Sequence, residues 1–99
     1  MVFDISKVTG IGAYESKQEK DADDHDRTVY YKDDKAFLII NKNTIEVRAD
    51  GELKALLTSK YESVMESRYF GRGGIEIVLA GQLSDDELRD LVRLSYNLS

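Results

Sequence analysis

A run of five apolar residues near the middle of the chain, Ala36 to Ile40, constrains the fold more than any other feature. The β-branched and aromatic stretch Thr28 to Lys32 precedes it, and Asp33-Asp34 between them has turn chemistry, which predicts an antiparallel hairpin. An unbroken apolar strand is typical of a central position that is covered on both faces. Asparagine tolerates left-handed backbone angles, so Asn41 to Asn43 predicts a further turn, and the alternating segment Thr44 to Arg48 then completes a meander.

A helix is predicted directly after the meander. Asp50 can cap it, and Leu53, Leu56 and Leu57 recur with helical spacing, followed one turn later by Tyr61 on the same face. This apolar stripe is expected to lie on the sheet. A short extended segment is predicted for residues 63–67.

The last third of the chain predicts a strand and a second helix. Ile75 to Leu79 alternates as a strand, and Gly81 ends it. Ser84 and Glu87 have capping-box spacing, in which the serine oxygen accepts a helix N–H and the glutamate accepts the serine N–H. The buried stripe of this helix is predicted to comprise Leu88, Leu91, Val92, Ser95 and Tyr96.

These elements predict an α+β fold, a two-layer sandwich with an antiparallel sheet of about four to five strands and two helices on one face. The 99 residues provide for one domain, spanning residues 1–99. Phe3, Ile5 and Val8 are expected to dock on the core as a strand or as a single helical turn. The polar segment 17–27 is predicted to be an acidic, mobile loop.

Composition narrows the classes of function. The chain has no cysteine and one histidine, so disulfides, thiolate metal sites and a zinc site built on histidines are not expected. No apolar run approaches the length of a membrane span and no signal pattern is present, so a cytoplasmic protein without a membrane partner is expected. The net charge of −5 argues against a nucleic-acid partner, but residues 15–26 hold six of the acids, which leaves a local basic face open.

The segment from Arg68 to Gly74 is the candidate binding site for nucleic acid or another anion. Arginines can pair phosphates in forked geometry, aromatic rings can stack on bases, and glycines let backbone N–H groups approach an anion. The alternative is a flexible connection with Phe70 in the core. The predicted site comprises Arg68, Tyr69, Phe70, Arg72, Gly73 and Gly74.

Other candidate sites have structural explanations. Asp21 to Asp26 lacks the glycine and glutamate of a calcium loop, so a solvated acidic loop is favoured over a metal site. His25 lies in the same polar stretch, and catalysis would require a pocket that joins it to Glu76 and Arg72. No catalytic residue, cofactor or metal is predicted. Four tyrosines are interpreted as edges of the core and not as a stacking platform, namely Tyr30, Tyr31, Tyr61 and Tyr96.

From Phe37 onward, the order of elements resembles the MmcQ/YjbR-like family of small α+β domains. The matching pieces are the strand at Thr44 to Val47, the helix Glu52 to Leu57, the Ser67-Arg68 pair, the strand that ends at Gly81, and the tail Leu83 to Leu88 with Leu91 and Leu94-Ser95-Tyr96. The chain has Gly71-Arg72-Gly73-Gly74 where the family tends to have a run with histidine and tryptophan. The resemblance implies a double-wing, DNA-binding module.

The leading hypothesis is therefore a small, non-enzymatic binding module that contacts DNA phosphates through Arg68 and Arg72. Lys42, Arg48 and Lys60 would contribute if they share that surface. The alternative is a protein-interaction or self-associating module without nucleic-acid binding, in which an exposed sheet edge or the Phe70 loop meets another chain.

Overall fold

The computed structural model describes residues 3–99, in which a six-stranded antiparallel sheet carries two α-helices. The prediction of an α+β fold is confirmed, and the sheet is larger than the predicted four to five strands. Along the sheet the strand order is β1-β2-β3-β4-β6-β5. The elements are a 3₁₀ turn at Ile5–Lys7, β1 Glu15–Lys20, β2 Asp26–Lys32, β3 Lys35–Ile40, β4 Thr44–Arg48, α1 Gly51–Lys60, β5 Val64–Ser67, β6 Gly71–Val78 and α2 Asp85–Leu98.

The predicted mobile loop at 17–27 is wrong at both ends. Residues 17–20 belong to β1 and residues 26–27 to β2, which leaves only Asp21 to His25 between the two strands. β1 is an edge strand whose side chains are almost all exposed, so its sequence lacks the apolar alternation that reveals a half-buried strand. Its ladder with β2 nevertheless runs unbroken over six residue pairs.

The predicted meander is confirmed as β2, β3 and β4. Asp33 and Asp34 both have positive φ, 49° and 68°, as a two-residue hairpin turn of the primed type requires. The turn between β3 and β4 closes with a 2.9 Å hydrogen bond from the Asn41 N–H to the Thr44 carbonyl. The predicted turn at Asn41 to Asn43 is therefore confirmed, although it is made without a residue of positive φ.

The two faces of the sheet carry different side chains. Val29, Ala36 and Ile39 form a small apolar cluster on one face, which we call the open face. The opposite, helix-covered face holds the main core. Its buried sheet residues include Leu38, Ile45, Val47, Ile75 and Ile77. β3 is thus buried on both sides, as its unbroken apolar sequence predicts.

Both helices pack against that main core. Ser84 and Glu87 form the predicted capping box of α2, and four of the five predicted stripe residues are buried while Leu91 is partly buried. The Asp50 side chain caps α1 by accepting the Leu53 N–H at 2.8 Å. The predicted α1 stripe is wrong at Leu56, which is 59% exposed. Leu56 lies about 100° around the helix from its neighbour Leu57, which packs on the core with Leu53 and Tyr61.

The hydroxyl of Ser95 joins α2 to the centre of the sheet. Its Oγ accepts the Arg48 N–H at 2.8 Å and donates to the Phe37 carbonyl at 2.5 Å. The β3–β4 register ends at the Leu38–Val47 pair, so Phe37 and Arg48 would form the next pair. The serine oxygen therefore replaces a direct backbone hydrogen bond where the two strands separate.

The N-terminal segment docks on the core as the sequence predicts. Phe3, Ile5 and Val8 are buried in the main core, and of the two predicted conformations the helical turn is found, as the 3₁₀ turn. Within residues 3–99, neither helix is long and apolar enough to cross a membrane.

Candidate functional site

The predicted binding loop is a three-residue turn, Arg68 to Phe70, that joins β5 to β6. Ser67 and Gly71 pair at its base, and the register of the two strands shifts just before this pair. The turn lies against the open face of the sheet, where Phe70 packs on the small apolar cluster. The glycine-rich part of the predicted loop, residues 71–74, instead forms the start of β6.

Two buried carboxylates lie next to this turn. Glu46 of β4 and Glu76 of β6 are direct cross-strand partners on the open face, and they are only 1% and 3% exposed. Burying a charge without a partner is strongly unfavourable, and like charges in neighbouring strand positions repel. The pair is therefore stable only if nearby groups supply hydrogen bonds and positive charge.

The turn, the end of β5 and Asn41 together supply the hydrogen bonds that Glu46 requires. The Glu46 carboxylate accepts the Ser67 hydroxyl at 2.8 Å, the Tyr69 backbone N–H at 2.9 Å and the Asn41 side-chain amide at 2.9 Å. The Ser67 oxygen in turn accepts the Phe70 N–H at 2.8 Å. Two backbone N–H groups of the turn are thus directed at acceptors within the chain.

Arg68 compensates Glu76. Its Nε and Nη2 donate to the two carboxylate oxygens at 3.0 and 2.8 Å, and the Thr44 hydroxyl donates to one of them at 2.8 Å. The hydrogen bonds and the charge of Glu76 raise the pKa of Arg68 further above its ordinary value. The Arg68 side chain remains 58% exposed, so its outer edge is open to solvent.

The aromatic residues of the turn are also engaged within the chain. The Arg48 guanidinium lies 4.9 Å from the centroid of the Phe70 ring, and that of Arg27 lies 5.1 Å from the centroid of the Tyr69 ring. Burial, followed by a hydrogen bond with Tyr31, raises the pKa of Tyr69. Tyr69 is exposed at the surface, whereas Phe70 is partly buried against the small apolar cluster. The Tyr69 ring is therefore the more accessible of the two to a nucleic-acid base.

The predicted glycines have packing roles. A Cβ on Gly74 would lie 2.6 Å from the Val47 carbonyl oxygen and 2.7 Å from the Phe70 Cβ, so glycine permits the close approach of β4 and the aromatic ring. The Gly73 N–H donates to the Phe70 carbonyl at 3.2 Å, so it is already engaged. Gly71 has a φ of +60°, a left-handed conformation that glycine adopts readily, at the position where the chain passes from the turn into β6.

Arg72 does not join Arg68. It is exposed on β6, and its charge contributes to the lowered pKa of Glu66, which is set mainly by a hydrogen bond from Lys54 of α1. Arg68 instead contacts Glu76 on the open face. The predicted site residues are close in sequence, but Arg68 lies next to Glu76 and Arg72 next to Glu66. The anions that the predicted loop contacts are thus glutamates of the same chain.

The three further cations do not form one basic surface. Arg48 donates to the Ala36 carbonyl at 2.7 Å and stacks on Phe70. Lys60 lies at the end of α1, 5.2 Å from the centroid of the Tyr61 ring. Lys42 is exposed in the turn between β3 and β4.

Lys42 and Arg68 do line a common cleft, which we call the hairpin cleft. It has a volume of about 790 Å³ and lies between the loop Asp21 to His25 and the turn Asn41 to Asn43. Its wall carries both signs of charge. The charged and titratable residues that line it are Asp21, Asp24, His25, Asp26, Arg27, Lys42 and Arg68.

The acidic wall of the cleft is an ordered turn. The Asp21 carboxylate accepts the Asp23 N–H at 2.8 Å and the His25 N–H at 2.9 Å, and these two bonds lower the pKa of Asp21. Asp24 adopts a left-handed backbone with φ of 66°. Ligand atoms of Asp21, Asp23 and His25 lie within 4.8 Å of one another, a spacing that a metal ion could bridge. The hydrogen bonds of Asp21 explain its position without an ion.

The residues of the hypothetical catalytic pocket are separated. His25 lines the hairpin cleft, whereas neither Glu76 nor Arg72 does. Of the four tyrosines interpreted as core edges, Tyr96 is buried and the other three are partly buried.

Sequence reasoning missed Glu46, and it considered Glu76 only for a catalytic pocket and not as the partner of Glu46 and Arg68. The sequence signal for both glutamates is that each lies between two apolar residues of a predicted strand. Because those apolar neighbours are expected to face the core, both glutamates are expected on the opposite face of the sheet.

Comparison of the chain with protein-family models, with curated proteins and with solved structures found no match. The resemblance to the MmcQ/YjbR-like family therefore stays a prediction.

Proposed function

We propose that the protein is a small, non-enzymatic binding module that recognises another protein through the hairpin cleft. The observation that carries this proposal is the internal use of Arg68, whose two hydrogen bonds to Glu76 compensate a buried carboxylate. Because this charge is already matched inside the chain, it contributes little net attraction toward a polyanion.

The composition of the cleft supports a protein ligand. Lys42 lies on one wall and Asp24 on the other, so the surface offers both a cation and an anion. A peptide segment carries N–H donors, carbonyl acceptors and charges of both signs, and can complement such a surface.

Site-specific photocrosslinking in cells tests this proposal. A p-benzoylphenylalanine placed at Asn43, in the cleft wall, is expected to give an adduct of defined mass with a protein. The same probe at Glu52, which is exposed on α1, is the matched control. Lys42→Glu is expected to weaken the adduct at position 43, because it removes the cation of that wall. Adducts of equal yield at both positions, or none at position 43, would refute a role for the cleft.

DNA binding is the second candidate function, and the exposed cations Lys42 and Arg72 favour it. Neither forms an ion pair within residues 3–99, so both are available to phosphates. The resemblance to the MmcQ/YjbR-like family implies the same ligand. The net charge of −5 opposes it at long range.

A salt titration with duplex and single-stranded DNA separates the two candidates. If Lys42 and Arg72 contact duplex phosphates, each alanine substitution should reduce the slope of log affinity against log salt by about 0.9. Lys60→Ala is the control, because Lys60 lies over Tyr61 at the end of α1. Absence of binding at low salt, or an equal change of slope in all three variants, would rule out this DNA site.

A further inference from the structure

The two edges of the sheet differ in how they are protected against pairing with another strand. The β5 edge has four residues and a register shift at Glu66/Ser67, and both features hinder addition of a strand. The β1 edge has six residues in unbroken register, and the chain contains no proline that could block it. The charged side chains of β1 are therefore the features that oppose or favour the pairing of another strand with this edge.

The hairpin with β2 determines which backbone groups of β1 point toward β2 and which point toward the free edge. The Asp21 N–H donates to the His25 carbonyl at 2.9 Å, so Asp21 faces β2. Because such positions alternate in an antiparallel ladder, Glu15 and Lys17 also face β2, whereas Ser16 and Gln18 direct their backbone groups to the free edge. That edge therefore offers unpaired N–H and C=O groups at alternate residues.

The charges of β1 select one self-pairing. Glu15 and Lys17 form no ion pair within residues 3–99, whereas Glu19 is paired with Arg27 at 2.7 Å. An antiparallel pairing centred on Lys17 would place Lys17 against its own copy and Glu15 against Glu19. A centre at Gln18 would place Glu15 against Asp21, and its Lys17–Glu19 contacts would have to compete with the existing Glu19–Arg27 ion pair. A centre at Ser16 instead sets Glu15 opposite Lys17 twice, by symmetry.

We infer that two copies of the chain associate through β1, antiparallel and centred on Ser16, so that their sheets form one sheet of twelve strands. Ser16 pairs with Ser16 of the second copy as a hydrogen-bonded pair, and each Glu15 forms an ion pair with the opposite Lys17. The two-fold axis is perpendicular to the sheet, so the helices of both copies lie on the same side. Tyr14, which is 38% exposed, would lie opposite Gln18 of the second copy.

The proposed dimer uses the edge of β1 and not the hairpin cleft, so a negative result for one of the two proposals leaves the other unaffected. Sedimentation equilibrium of the full chain over a concentration series is expected to show a monomer–dimer equilibrium. Ser16→Pro is expected to give a monomer, because it removes an N–H that points away from β2. Circular dichroism checks that this variant is folded. A wild type that stays monomeric at millimolar concentration would overturn the inference.

Charge reversal at Glu15 and Lys17 tests the register of the proposed dimer without the introduction of a proline. Glu15→Lys and Lys17→Glu each replace two attractive contacts per dimer by repulsive ones, and each is expected to raise the dissociation constant about ten-fold. An equimolar mixture of the two variants should associate as a heterodimer, because one chain then carries a lysine at both positions and the other carries a glutamate at both. The double variant should dimerise like the wild type. Equal association of wild type and both single variants, or no heterodimer, would overturn the Ser16-centred pairing.

Discussion

Replacement of Arg68 by alanine should destabilise the protein by removing the cation that compensates a buried carboxylate. Arg68 makes two charged hydrogen bonds to Glu76, at 3.0 and 2.8 Å, and Glu76 is 3% exposed. Loss of one partner from a fully buried ion pair costs about 3–5 kcal/mol. Because the Arg68 side chain is 58% exposed, water can reach Glu76 after truncation, so we expect about 2–3 kcal/mol.

Urea unfolding followed by far-ultraviolet circular dichroism measures this cost. Arg72→Ala is the matched control, since it removes one positive charge from the same hairpin without breaking an ion pair, and should change the unfolding free energy by at most about 0.5 kcal/mol. In a Glu76→Gln background, the cost of Arg68→Ala should fall below about 1 kcal/mol, because residue 76 then carries no charge for Arg68 to compensate. Equal costs for Arg68→Ala and Arg72→Ala would refute the compensating role of Arg68.

Three further predictions concern the packing at Gly74, the Ser95 bridge and the capping box of α2. Gly74→Ala should destabilise by about 2–3 kcal/mol through the close contacts of its Cβ, while Gly73→Ala, whose Cβ would have no neighbour nearer than 3.7 Å, should cost under about 1 kcal/mol in the same urea assay. Ser95→Ala should cost about 1–3 kcal/mol by removing the hydrogen-bond partner of the Arg48 N–H and of the buried Phe37 carbonyl, and thermal unfolding would show no shift if the bridge were dispensable. The folded state lowers the pKa of Glu87, so its contribution is present above the unfolded-state pKa and lost as pH falls through the folded-state pKa. Glu87→Gln should therefore flatten the acid limb of a melting-temperature profile, and an unchanged limb would contradict this assignment.

Local signals in the sequence predicted the local structure well. The capping box at Ser84 and Glu87, the Asp50 cap and the Asp33-Asp34 turn each depend on residues within a few positions of one another. The hydrogen bonds and backbone angles of such caps and turns are determined by the types of the residues and their spacing in the sequence. The same holds for the buried strand β3, whose unbroken apolar run requires cover on both faces.

Features that depend on distant parts of the chain were not predictable in this way. β1 is held by its ladder with β2, and its polar side chains carry no periodic signal. The segment from Arg68 was predicted to bind nucleic acid or another anion, whereas the anions that it contacts in the structure are two carboxylates 30 residues apart in sequence, Glu46 and Glu76. Only the sheet register brings these two groups together under the turn.

Ser95 makes the integrity of the central sheet depend on a helix near the end of the chain. Whenever α2 lifts away, the Arg48 amide loses its acceptor, so the exchange of this amide hydrogen with deuterium reports how often the helix detaches. Release of α2 would also uncover the apolar residues beneath it. The molecule is therefore expected to lose its last helix and the β3–β4 junction in a single cooperative event.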